Sequence, residues 1–221
     1  MSNARSTSLS RPKAPASVPR TNEERTRLTR DALMQAARAL FVANGYAATG
    51  TPEIVRAARV TRGALYHHFL DKTDLLRAVV TQEAHAVAGH VERHSGAGKS
   101  ALDALVDGAN AWFDAMTAPG RARLLLIEGP AILGHAEMQR IDSQSGGASL
   151  RQGLAAAIDP EGGETLPIDE LSEVLSAAFD RAALAIAQGI APDRYRSAMR
   201  LVLVSLLNTP ARSARGHRPD R

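Results

Sequence analysis

A chain of 221 residues, 44% apolar and 23% charged, is long enough to bury a core of its own and has the balance of a folded globular protein. Cysteine is absent, which excludes a disulfide framework, a thiolate metal site and a cysteine nucleophile. The net charge of +4 is uneven, with +4 on residues 1–20, +3 on 21–77, −6 on 78–208 and +3 on 209–221, an asymmetry that suits a molecule meeting a polyanion at one end.

No segment approaches the roughly 20 unbroken apolar residues of a membrane span, and the N-terminus has no apolar signal core. A cytoplasmic protein without membrane contact is expected. Residues 1–20, rich in Ser, Pro and Arg, read as a disordered basic arm. A solvated tail and an arm lying on DNA both fit that composition.

From Thr21 the period becomes helical. Thr21 with Glu24 fits a capping box, Leu33, Ala36, Ala37, Leu40 and Phe41 recur every three to four residues, and Asn44-Gly45 ends the run. A short second helix is predicted from Thr51-Pro52, with Glu53 at its positive end and Ile54, Val55 and Ala58 on its apolar face. Val60 sits in the turn. Thr61 is a good N-cap for a third helix that buries Leu65 and Phe69, and a fourth runs from Lys72-Thr73 to about His94.

In a helix over 62–68, Leu65 and Phe69 face inward, and Arg62, Gly63, Ala64, Tyr66, His67 and His68 take the remaining surface. Two short helices joined by a tight turn and braced by a preceding helix describe a helix-turn-helix, here at about 50–69. Arg62 at the entering end has the geometry to bond guanine O6 and N7 together, while Gly63 and Ala64 permit close approach. Tyr66, His68 and Lys72 are suited to phosphate oxygens. An exposed polar helix of any bundle accounts for the spacing equally well.

Residues 45–76, GYAATGTPEIVRAARVTRGALYHHFLDKTDLL, closely resemble the helix-turn-helix signature of the tetracycline-repressor (TetR) family of bacterial regulators. Gly45, Tyr46, Thr49, Ile54, Ala58, Val60, Thr61, Gly63, Leu65, Tyr66, His68, Phe69 and Lys72 match that pattern, and the resemblance covers roughly residues 25–77. It implies an all-α protein with a DNA-binding head (21–77) and a larger helical ligand-binding and dimerisation domain (78–208), acting as a ligand-released repressor. By position, Arg62, Gly63, Ala64 and His67 would lie near bases, and Thr49, Thr51, Tyr66, His68 and Lys72 near phosphates of a double-stranded operator. Two positions depart from the pattern. Arg59 stands where a turn glycine is usual, which would cost about 1 kcal/mol in a left-handed backbone and would add a phosphate contact in return, and Gly50 where a Ser or Thr cap is common, which leaves Thr49 or Thr51 to cap the second helix.

Beyond 94, helices are expected over about 100–117, 121–139 (interrupted by Pro130) and 142–158, then a loop over 159–167 and two apolar helices over 168–188 and 192–208. The last is apolar nearly all round, so a second copy of the chain is expected to cover it through about 168–208. A basic tail, 209–221, follows. A pocket for a small, partly apolar inducer is expected to use Trp112, Phe113, Met116, Leu124, Leu125, Ile132 and Met138, with Glu128 and His135 as polar contacts. Each of these also suits ordinary core packing.

GAGKS at 96–100 lacks the first glycine and preceding strand of a phosphate loop. His90 and His94 lie one turn apart without a third ligand at metal spacing. No nucleophile with an oriented base is evident. An enzyme, a metal and a cofactor are therefore not expected. The competing class is a helical small-molecule binder without DNA recognition.

Overall fold

The computed structural model describes residues 21–95, 100–145, 148–158 and 167–207, and every regular element among them is helical. The arm over 1–20, the GAGK stretch at 96–99, the loop over 159–166 and the basic tail lie outside the described residues.

The first helix, α1 (Asn22–Asn44), opens on the expected reciprocal cap: Thr21 Oγ1 accepts the Glu24 N–H at 3.2 Å and the Glu24 carboxylate accepts the Thr21 N–H at 3.1 Å. Leu33, Ala37 and Phe41, four apart, are its fully buried stripe. α2 (Thr51–Ala58) and α3 (Arg62–His68) pack Ile54 and Leu65 into the same core. Neither threonine caps α2. Gly50 is the N-cap, and the Glu53 carboxylate accepts its N–H at 3.1 Å. Arg59, in the turn, has φ 56° and ψ 40°, the one left-handed residue other than glycine among those described. That conformation costs about 1 kcal/mol.

α4 (Lys72–His94) starts from Asp71, whose carboxylate accepts the Asp74 N–H at 2.7 Å. Lys72 Nζ turns back and donates to the carbonyls of Tyr46 (2.9 Å) and Thr49 (3.0 Å), 4.0 Å from the centre of the Tyr46 ring. The Tyr46 and Thr73 hydroxyls lie 2.9 Å apart. The chain before α2 is thus fastened to the start of α4.

Ser100 caps α5 (Ala101–Met116), accepting the Asp103 N–H at 3.1 Å. The single helix expected over 121–139 is divided into α6 (Arg121–Arg123), a π-helical turn (Leu124–Glu128) and α7 (Gly129–Leu133). The Gly129 N–H reaches Leu124 O, and Pro130 has no N–H with which to resume the ordinary ladder. Pro130, expected to interrupt this segment, does so in the first turn of α7; a second break follows at Gly134, and α8 (His135–Ser145) takes residues 142–145, so α9 is Ala148–Ile158 rather than 142–158. α10 (Ile168–Ala187) and α11 (Pro192–Leu207) close the fold.

Two clusters of buried side chains result. One runs from α1–α3 through α4 to Met116, Leu124 and Ile141, so head and body share a core. The other holds Leu105, Phe113, Leu154, Phe179, Met199 and Leu203, and Trp112 packs against both. Glu83 of α4 reinforces the shared core. Its side chain is 7% exposed and accepts from Arg38 Nε of α1 (2.7 Å) and Arg121 Nε of α6 (2.6 Å). Burial raises its pKa, but the hydrogen bonds from Arg38 and then Arg121 outweigh burial and hold it below the usual carboxylate range.

Glu83→Gln is expected to destabilise the protein by about 1.5–3 kcal/mol, the scale of hydrogen bonds to a charged group, read by chemical denaturation at neutral pH. A depressed folded pKa contributes stability above pH 4.5 that disappears as pH falls through the folded value, so the two proteins should converge in acid. Lys72→Met is expected to lower the thermal midpoint without DNA present, because it strands the carbonyls of Tyr46 and Thr49. An unchanged melt would mean that the lysine does not brace the head.

Candidate nucleic-acid interface

α3 has only seven residues, too few to hold a helix alone in water, and three features fix it. Thr61 Oγ1 accepts the Ala64 N–H at 3.1 Å, Leu65 and Phe69 are buried to 0% and 2% exposure, and Arg30 of α1 closes the far end. Arg30 Nη1 donates to His68 O at 3.2 Å, and its guanidinium lies 4.4 Å from the Phe69 ring centre. Arg30 was absent from the residues expected to matter. It lies 38 positions from its partner, and periodicity carries no signal for such a pairing.

With Leu65 and Phe69 turned inward, Arg62, Gly63, Tyr66 and His67 are exposed, while Ala64 and His68 are half-buried. The Arg62 guanidinium stands 5.5 Å from the Tyr66 ring centre. A hydrogen bond with the Thr51 side chain, then one with Arg62, hold the Tyr66 hydroxyl below the usual phenol range. Thr51, Arg62 and Tyr66 therefore form one polar patch across α2 and α3. No acidic residue occupies the first turn of α3. A Cβ at Gly63 would meet nothing nearer than Thr61 Oγ1 at 3.9 Å, so the protein itself leaves that space open. Burial, then the charges of His67 and Arg30, lower the His68 pKa, favouring a neutral imidazole 5.2 Å from the His67 ring.

Two expected phosphate contacts are placed differently. Thr49 is 1% exposed, and its hydroxyl donates to Gly45 O at 2.8 Å, so it shapes the turn before α2 and is withdrawn from the surface. Lys72 is half-buried and committed to the carbonyls described above. The cluster brought together on the surface is Thr51, Arg62, Gly63, Ala64, Tyr66, His67 and His68.

The residues expected to line a ligand pocket fall in and around the two buried clusters, with Met116, Leu124, Leu125, Met138 and Trp112 together in or against the one shared with the head. Trp112 and Phe113 pack against Phe179, with ring centres 5.3 Å from it, while Met116 and Leu125 belong to the core shared with the head. Ile132 and His135 are exposed. Glu128 is spoken for: its carboxylate accepts the Tyr46 N–H at 2.8 Å and pairs with Arg123 at 2.8 Å, so it joins body to head. A solvent-open groove of about 390 Å³ lies between α1 and α4, lined by Arg30, Met34, Arg77 and His85 among others, and none of the expected ligand residues borders it. His94 Nδ1 lies 2.7 Å from His90 O within α4. No described helix is long and apolar enough to cross a membrane.

Comparison with known proteins gives two family matches. "Bacterial regulatory proteins, tetR family" matches residues 33–79, and "Tetracyclin repressor-like, C-terminal domain" matches residues 102–210. The chain is 44% identical over 61 residues to the transposon Tn10 TetC protein of Escherichia coli, covering 28% of this chain and 31% of that one. It is 34% identical over 100 residues to the A-factor receptor protein of Streptomyces griseus, covering 44% and 34%. These matched stretches span only about a third of the relatives' own length. Among solved structures, a TetR-family transcriptional regulator from Pectobacterium atrosepticum is 27% identical, with a TM-score of 0.61 over 85% of this chain and 96% of that one. LfrR from Mycobacterium smegmatis, solved with proflavine, shares the fold at 21% identity, with a TM-score of 0.59 over 83% and 98%. With its helix-turn-helix head and helical body both matched, the chain belongs to the tetR family of bacterial regulatory proteins.

Proposed function

We propose that the protein is a homodimeric repressor that binds a palindromic operator and is released by a small molecule. The observation that carries the DNA reading is the outer face of α3, where Arg62, Tyr66 and His67 stand exposed on a helix whose inner face and both ends are fixed. Such a helix meets the major groove without first having to order itself.

The dimer reading rests on α10 and α11. α11 buries only Met199 and Leu203 and leaves Leu201 67% and Val202 43% exposed, while Val174 of α10 is 66% exposed. A second copy related by a two-fold axis would cover these side chains and supply the second reading head of a palindrome.

Release by a ligand is supported by the family and by the proflavine held by the mycobacterial relative. The route in this chain is the segment from Arg121 to Glu128. It touches α4 through Arg121 with Glu83, which also holds Arg38 of α1, and the head through Glu128 with Tyr46. A ligand that moves this segment changes how α1–α3 sit on α4. To shift a 99:1 equilibrium to 1:99, it must favour the released state by about 5.5 kcal/mol.

Selection of bound duplexes from a random pool, followed by footprinting, is expected to yield one inverted repeat. Arg62→Ala should weaken binding to it by about 1–3 kcal/mol, the worth of a bidentate arginine–guanine contact. Leu201→Asp should give a folded monomer by analytical ultracentrifugation and lose the footprint. A wild-type protein that is monomeric, or that protects no site, would overturn this reading in favour of a helical binder without an operator.

A further inference from the structure

The turn between α2 and α3 carries an arrangement that the fold does not require. Arg59 adopts a left-handed conformation that glycine accepts at no steric cost. Its N–H bonds to Arg56 O and Val55 O, contacts that any residue but proline makes there. The Arg59 side chain is exposed, and among the described residues no hydrogen bond, ion pair or ring contact engages it.

Its surroundings make the choice more costly. Arg56 precedes it in the last turn of α2 and Arg62 follows at the start of α3, both exposed, so three exposed arginines fall at this turn and its flanks. The nearest acids in sequence are occupied, since Glu53 holds the Gly50 N–H and Asp71 caps α4. No ion pair joins a carboxylate to any of the three among the described residues, so their charge is left for solvent or a bound polyanion.

We infer that Arg59, with Arg56, is a phosphate anchor beside the recognition helix, so that the turn itself grips the DNA backbone. A polyanion supplies the missing counter-charge, and the left-handed turn presents the guanidinium at the edge of the surface from which Arg62 enters the groove. The inference rests on the DNA-binding reading of α3; it takes up the phosphate contact expected of Arg59 and adds Arg56 to it. One purely internal explanation competes with it: a cation beyond the C-terminus of α2 meets the negative end of that helix.

The two are separated by Arg59→Gly and Arg59→Gln, assayed by thermal melts and by titration of a labelled mixed-sequence duplex over a salt series. Arg59→Gly relieves the backbone and is expected to raise the melting midpoint. Arg59→Gln keeps the backbone conformation and removes the charge. Both should weaken binding and reduce the slope of log K against log salt by about 1 per reading head, equally on mixed-sequence and selected duplexes. Arg62→Ala should lose most on the selected duplex. Unchanged affinity and slope in both Arg59 variants, with a lower midpoint for Arg59→Gln, would overturn the anchor in favour of the helix-end role while wild-type binding stands. A wild-type protein without salt-sensitive binding to any duplex would overturn the anchor and the DNA reading together.

Discussion

Glu83 keeps a negative charge where water barely reaches, and the relation of head to body depends on it. Its two oxygens take one guanidinium from α1 and another from α6, while Arg38 also reaches Pro119 O and Arg121 reaches Ala115 O. Removing any one member leaves the others buried with unmet polar groups, so the node acts as a unit. Glu128 makes a second tie at Tyr46. Between the two ties the backbones approach closely: a Cβ at Gly120 would stand 2.4 Å from Val42, and one at Gly45 2.7 Å from Arg123 Nη2. Both glycines also have φ near +80°, where a side chain is strained whatever the space around it.

This junction gives the π-helical turn a purpose. The turn widens the helix ahead of Pro130 and ends on Glu128, the residue whose carboxylate reaches across to the Tyr46 N–H. Lys72 holds the Tyr46 carbonyl from the other side, through α4. The backbone of Tyr46 is therefore gripped at its N–H by the body through one charge and at its carbonyl by α4 through another. α2 begins five residues later, so movement of either grip is felt where the head meets DNA.

What the sequence disclosed follows from the range of each interaction. The caps of α1 and α3 are contacts between residues three apart, and the buried stripes of α1 and α4 repeat every turn, so both were legible. The left-handed turn at Arg59 was legible because the family places glycine there. In the segment after 121 the interruption at Pro130 was legible, while the π turn and the break at Gly134 leave no periodic trace. A ligand pocket is harder to read. Glu128 looked available as a polar contact, yet its partner is 82 residues away, and nothing local distinguishes a committed carboxylate from a free one. Thr49 and Lys72 were assigned to the surface for the same reason: their family positions are informative, but what their polar atoms bind depends on how the turn before α2 folds back onto α4.

The same distinction governs how charge should be weighed. The head carries nine basic residues, and its modest excess over acids understates how they are divided. Arg30, Arg38, Lys72 and Arg77 are used internally, on carbonyls, on a ring, or on Glu83, Asp74 and Glu137. Two of them, Arg38 and Arg77, pair with acids of α4 and the body, while Arg30 and Lys72 hold carbonyls within the head. Arg56, Arg59 and Arg62 lie together in sequence at the opposite business of the head, the turn and entry of the reading helix, without a carboxylate partner among the described residues. Internal pairing thus leaves exposed cations at two places on the head, Arg56, Arg59 and Arg62 around the α2–α3 turn and Arg25 and Arg27 at the start of α1. For a polyanion approaching from solution, the distribution of unpaired charge, rather than the net charge of the domain, sets both the orientation of approach and the salt dependence of the encounter.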